Sequence, residues 1–257
     1  MNKLRKIFIS LFIATSLFAS YENDNDTLGN IAIQVGVLNS KLNGQIKNPK
    51  NDVSFKNDLG YDESKNINTF ALDLKNDISW LPNVNISYFK LNDSANNTLQ
   101  SSKNIANVDI DGSISSTVDY SEINTIMYGF LYQGPFEFDF GLNFKKIDFT
   151  QEIEENDGFK KYIKIDGPTS IIVLPHMALK LDLDFIDTVI VAKTSMLSFG
   201  DNEAKDYEYS INYRVMRNIY LSYGYKYNSF KTTRNTSNNE IYDVNIKGNY
   251  ISCKVLF

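Results

Sequence analysis

A chain of 257 residues with one histidine and one cysteine has few routes to catalysis. His176 sits in LPHMALKLDL, where its parity sets it on the side of Lys180 and Asp182. Acid–base or nucleophilic chemistry would need this imidazole oriented by a carboxylate and within hydrogen-bond reach of a nucleophile. No such motif surrounds it, so a polar side chain lining an interior is the plainer reading. A single histidine excludes multi-His metal sites, and Cys253 alone cannot form an internal disulfide. The acidic run from Gln151 to Asp157 lacks the spaced oxygen ligands of an EF-hand and reads as a solvated loop. No catalytic residue, cofactor or metal ligand is therefore expected, and the chain is not read as an enzyme.

A larger set of charged residues has a regular spacing. In GPFEFDFGLNFKK, Phe136, Phe138, Phe140, Leu142 and Phe144 alternate with Glu137, Asp139, Gly141, Asn143 and Lys145. This period of two is the strand signal. The same alternation sets Asp73, Lys75, His176, Lys180, Asp182, Glu208, Arg214 and Lys226 opposite apolar or aromatic neighbours, and Asp243 and Lys247 are assigned to the same polar side. Both signs are mixed, which suits a paired internal network, because an unpaired buried charge is costly. The net charge of −5 argues against a nucleic-acid partner.

These residues must be carried by strands. About ten are readable: Gly29 to Asn39, Thr69 to Lys75, Val84 to Leu91, Val118 to Tyr132, Phe136 onwards, Thr169 to Asp184, Thr188 to Leu197, two Tyr-rich segments around Tyr209 and Tyr223, and Ile241 to Phe257. The strand at 118–132 is apolar on both parities from Ile126 on, and the strand at 188–197 is similarly ambiguous, which leaves their facing open. Connections alternate between long polar segments, such as Ser40 to Asn68, Asn92 to Thr117 and Gln151 to Pro168, and short turns such as Gln133-Gly134-Pro135. Long loops on one side and short turns on the other are the layout of a transmembrane β-barrel. Nine residues at about 3.3 Å each, tilted near 40°, span roughly 23 Å, close to the apolar band of such barrels. In the last strand the apolar parity changes, from Tyr242, Val244 and Ile246 to Ile251, Cys253, Val255 and Phe257. A one-residue slip would turn every side chain over, so a β-bulge is expected near Gly248 to Tyr250.

The first twenty residues have a basic start, an apolar run from Ile7 to Leu17 and a small-residue end, the pattern of a signal peptide. The expected organisation is a signal peptide over 1–20, a short polar leader over 21–28 and a barrel over 29–257. A terminal aromatic, Phe257, on the last strand resembles the signal read by the outer-membrane barrel-assembly machinery.

The segments NDLGYDESKN, Asn57 to Asn66, and LKNDISWLPNVNISYF, Leu74 to Phe89, resemble an uncharacterised family of bacterial outer-membrane β-barrel proteins. Asp58, Leu59, Gly60, Tyr61, Asp62, Leu81, Pro82 and Asn83 carry the likeness. The resemblance implies fold and location and supplies no catalytic residues. The reading is an all-β, antiparallel up-and-down transmembrane barrel of the bacterial outer membrane, in contact with its lipid. Its expected function is that of an integral barrel protein, as a narrow channel or small-solute transporter. The alternative is a structural or surface-binding barrel acting through its extracellular loops, and a membrane hydrolase is the least favoured. No residue names a ligand.

Overall fold

The computed structural model describes residues 31–76, 81–132, 135–156, 161–167, 170–199, 202–234 and 240–257. The expected signal peptide, the leader and the start of the first strand lie outside them, as do Trp80 and the Gln133-Gly134 pair. In chain order the strands are β1 (Ile31–Lys47), β2 (Asp52–Ser54), β3 (Lys65–Leu74), β4 (Asn83–Thr98), β5 (Lys103–Ile105), β6 (Val108–Ile110) and β7 (Ser113–Tyr132). They continue as β8 (Phe136–Glu155), β9 (Tyr162–Asp166), β10 (Ser170–Leu183), β11 (Thr188–Phe199), β12 (Asn202–Met216), β13 (Ile219–Arg234) and β14 (Glu240–Leu256). Ten of them close a ring: β1, β3, β4, β7, β8, β10, β11, β12, β13 and β14, all antiparallel, with β14 returning to β1. Closure removes the free edges that an open sheet would expose. No described helix is long and apolar enough to cross a membrane.

The strands run further than their sequence boundaries suggested. Much of each segment read as a long connection is strand: β1 continues to Lys47, β4 to Thr98 and β8 to Glu155, while β7 starts at Ser113. Twenty residues of β8 rise roughly 50 Å along the barrel axis at the usual tilt, about twice the apolar band. The wall therefore projects well beyond the membrane.

That projection explains the parity change in β14, and it corrects the expected bulge. Register with β1 runs unbroken from Lys47↔Ile241 to Ala32↔Leu256, and with β13 from Arg234↔Glu240 to Ile219↔Val255. The register shifts lie elsewhere, between Phe130 and Tyr132 and between Arg214 and Met216. Gly248 lets the two backbones meet closely, since a Cβ there would fall 1.8 Å from Asn39 O. Nothing slips. The two faces of the strand exchange character instead. In the membrane, Ile251 and Cys253 are on the outward face, while Val255, of the same parity, is buried; above it, Tyr242, Val244 and Ile246 are buried inside. Asp243 and Lys247 accordingly face outward, contrary to their assignment to the polar interior.

β8 inverts in the same way. Phe136 and Phe140 are more than half exposed on the outer face, which then becomes Lys146, Asp148, Thr150, Glu152 and Glu154. The inner face changes from Glu137, Asp139, Asn143 and Lys145 to Ile147, Phe149 and Ile153. In β7 the even residues point inward, mostly apolar at Ile114, Val118 and Tyr120 with Ser116 between them, and polar at Glu122 and Asn124, while Ile123 and Met127 face out. In β11 Val189, Val191, Lys193 and Ser195 point inward. Both strands of open facing are thereby assigned. The cause is a change of solvent along one strand: hydrocarbon favours an apolar outside, and water favours an apolar inside.

Candidate functional site

The lumen has two storeys. The membrane-level storey is polar and is organised around Lys145 of β8 and Glu122 of β7, both fully buried. Lys145 Nζ lies 2.8 Å from Glu122 Oε2 and 2.5 Å from Asp206 Oδ1, on the far wall. Glu122 also accepts hydrogen bonds from Tyr120 OH at 2.5 Å, Asn124 Nδ2 at 2.5 Å and Asn228 Nδ2 at 2.6 Å. Asn143 Nδ2 donates to Asp206 Oδ2 at 3.3 Å. The donors around Glu122 all come from side chains of the barrel wall, which suits a buried carboxylate.

Below this cluster, towards the periplasmic end, further charged pairs stand on the two walls. Lys180 is ion-paired with Glu137 and with Asp139, the latter at 2.9 Å. Its ammonium also lies 5.6 Å from the ring centres of Tyr128 and Phe130. Tyr128 OH donates to Asp73 at 2.9 Å, and Lys254 lies 3.7 Å from Asp73. On the other wall, Lys193 pairs with Glu208 at 3.3 Å, and Tyr250 OH donates to Glu208 at 3.1 Å. Between the walls is a cavity of about 250 Å³, lined by Asp73, Lys75, Glu137, Lys180, Lys193 and Lys254 among others. At the turn between β10 and β11, Arg214 of β12 reaches Asp184 at 3.3 Å and Asp187 at 3.9 Å.

The upper storey is apolar and filled. Five rings form a chain across it: Phe55 to Phe149 at 6.5 Å, Phe149 to Phe230 at 5.8 Å, Phe230 to Tyr120 at 6.0 Å and Tyr120 to Phe89 at 5.7 Å. Leu38, Leu42, Ile46, Ile114, Val118 and Ile153 complete the packing. Tyr120 joins the storeys, with its ring in the apolar layer and its hydroxyl on Glu122.

Two chain segments close the top. After β2, Phe55, Leu59 and Tyr61 turn into the core. Asp58 Oδ2 accepts from Ser54 N at 2.7 Å, and Gly60 takes φ +87°, a conformation that favours glycine. These are residues of the LGYD segment, whose local role is to fold a cap. Burial pushes the Tyr61 phenol well above its ordinary range; its hydroxyl lies 2.6 Å from Ser116 Oγ. The β5–β6 hairpin turns through Ala106 and Asn107, both at positive φ, and buries Ile105 and Ile110. Lys103 pairs with Asp58 at 3.2 Å, and Ala106 N donates to Glu240 Oε1 at 2.7 Å, which ties the hairpin to the cap and to β14.

The residues singled out by sequence occupy three places. Glu208, Lys226 and His176 line the middle of the lumen; Lys145 anchors the central cluster; Asp73, Lys75, Glu137, Asp139, Lys180 and Asp182 line the cavity, and Arg214 pairs with Asp184 and Asp187 at the β10–β11 turn. Sequence reasoning missed Glu122 and Lys193, which lie on the two strands of ambiguous parity, and Asp206, which lies in β12 ahead of the Tyr-rich alternation. Lys254 had a readable signal, because it shares the inward parity of Tyr250 and Ser252. His176 Nδ1 lies 2.8 Å from Ser195 Oγ, but among the described residues no carboxylate hydrogen-bonds to its other nitrogen. No described group of three His, Cys, Asp or Glu is placed to hold a metal ion.

No protein-family model and no curated protein matches the sequence. Among solved structures, the chain is similar to the outer membrane protease OmpT from Escherichia coli, at 9% identity and a TM-score of 0.58, over 91% of this chain and 99% of that one. It is also similar to the translocator domain of the autotransporter NalP from Neisseria meningitidis, at 9% identity and a TM-score of 0.48, over 98% and 96% of the two chains. A third is Ail, the attachment invasion locus protein of Yersinia pestis, at 9% identity and a TM-score of 0.37, over 90% and 100%. The likeness to OmpT is one of fold and carries no residue across. The closed ring and its lipid-facing band make the chain an integral outer-membrane β-barrel.

Proposed function

We propose that this outer-membrane barrel is closed towards the outside and works through its extracellular crown, as a structural or surface-binding protein. The observation that carries this reading is the filled upper storey. A solute crossing the lumen would have to displace the ring chain from Phe55 to Phe89 and the cap above it. Each buried large apolar side chain contributes about 1.5–3 kcal/mol, so that layer opposes opening. The strands above the membrane hold the crown as a rigid platform, the setting in which exposed loops carry binding.

The narrow-channel reading is supported by the polar cavity alone, which reaches as far as His176, Glu208 and Tyr250. Planar-bilayer recordings separate the two. The refolded barrel should show no sustained conductance at any applied voltage, and stepwise ion conductance in most insertions would reverse the order of the readings. Replacing residues 99–112 by a short turn should abolish any surface binding that expression confers, while the barrel keeps its heat-modifiable gel shift.

Outer-membrane lipid is the partner proposed for the outward band. The proposed assembly partner is the barrel-assembly machinery, reading the strand that ends at Phe257. This is supported by β14 being the strand that closes the ring onto β1, with Phe257 N donating to Ile31 O at 2.8 Å.

A further inference from the structure

Outward lysines ring the wall just above the apolar band, and several are neutralised on their own face. Lys90 Nζ lies 2.8 Å from Asp119, Lys146 lies 3.0 Å from Asp148, and Lys205 is paired with Glu203. The seam between β1 and β14 departs from this pattern. Lys41 and Lys247 stand directly opposite each other across it, both on the outward face. Among the described residues neither ammonium is paired with a carboxylate. Like charges directly opposite on neighbouring strands destabilise the pairing, so an arrangement of this kind is poised to take an anion.

Height identifies the anion. Going outward along the seam, Val37↔Ile251 is the last apolar row, Asn39↔Asn249 is next, and Lys41↔Lys247 follows. The lysine row is thus about 10 Å beyond the apolar edge along the membrane normal, and lysine stems can bend back over that distance. Below the lysines, Asn39 Nδ2 donates to Asn66 Oδ1 at 2.8 Å on β3, and Tyr227 of β13 lies opposite Lys247. Asp243, the nearest outward acid on β14, is two outward positions further from the membrane. Lysine recognises phosphate as a point charge, and amides add hydrogen bonds. We propose that the β1–β14 seam binds a phosphate group carried by a lipid of the outer leaflet, with Lys41 and Lys247 on its two sides and the Asn39 and Asn249 amides beneath. This holds whether or not the lumen conducts.

The test is retention of lipid phosphorus. Barrel extracted from outer membranes and exchanged into phosphate-free detergent should keep lipid phosphate that native mass measurement finds on the folded protein. Lys41→Gln/Lys247→Gln should reduce it roughly tenfold, whereas Lys90→Gln/Lys146→Gln, which removes lysines already paired, should not. A second readout has a sign. In lipid-free detergent Lys247→Gln should leave the thermal midpoint unchanged or raised, since a repulsion is removed; in vesicles containing a phosphorylated glycolipid it should lower it. Equal retention by wild type and the seam variant, no retention by wild type, or displacement of the lipid by equimolar orthophosphate would each overturn the proposal.

Discussion

Lys145 shows how much a single side chain can hold. It bridges Glu122 and Asp206, which sit on strands far apart in the chain, and no solvent reaches it. Removing one member of a buried ion network costs about 3–5 kcal/mol, because the other charges stay behind; replacing the whole network with apolar groups is often neutral. Lys145→Met should therefore lower the stability of the refolded barrel by about 3–5 kcal/mol, and Lys145→Met/Glu122→Leu/Asp206→Leu should recover much of it. Urea titrations read by the heat-modifiable gel shift would check both. Lys145 itself was legible from the Phe ladder. Its partners were not, because which strands meet across a lumen is decided by closure and shear.

At the scale of the strand, the governing fact is the exchange of faces at the membrane boundary. Alternation persists from one end of β8 to the other, while the environment on each side changes. A substitution on the outward face should thus have a cost set by height. Phe140→Lys, within the apolar band, is expected to destabilise the barrel by about 2–4 kcal/mol. Thr150→Lys, on the same face above the band, should fall within about 0.5 kcal/mol of wild type. Equal effects in vesicle-based unfolding would contradict the boundary near Lys146. The same exchange accounts for one of two difficulties of the sequence: β14 looked slipped because its change falls between Ile246 and Ile251. β7 looked apolar on both parities from Ile126 on because Ile126 and Tyr128 face the lumen while Met127 faces out, and its register shifts between Phe130 and Tyr132.

For the whole molecule, the consequence is that the described residues pack the outer half of the lumen and leave a cavity in the inner half. Ala178 faces the cavity and is nearly fully buried. In a Cys253→Ser background, Ala178→Cys should react with a small membrane-impermeant maleimide from the periplasmic side of reconstituted vesicles and not from the crown side. Rapid labelling from the crown would mean that the cap opens. The sequence by itself determined the all-β character, the ring of about ten strands and the apolar outward band, since these follow from alternation and from connection lengths that the chain states locally. It also placed most of the polar lumen residues on one parity. Only the tertiary structure decided that the parity change in β14 is a change of surroundings on an unbroken register. It also decided that the LGYD segment and the β5–β6 hairpin seal the outer half. A strand's pattern records which face is apolar; whether the apolar face meets lipid or a packed core depends on where the membrane ends, and that is fixed by the height of the assembled wall.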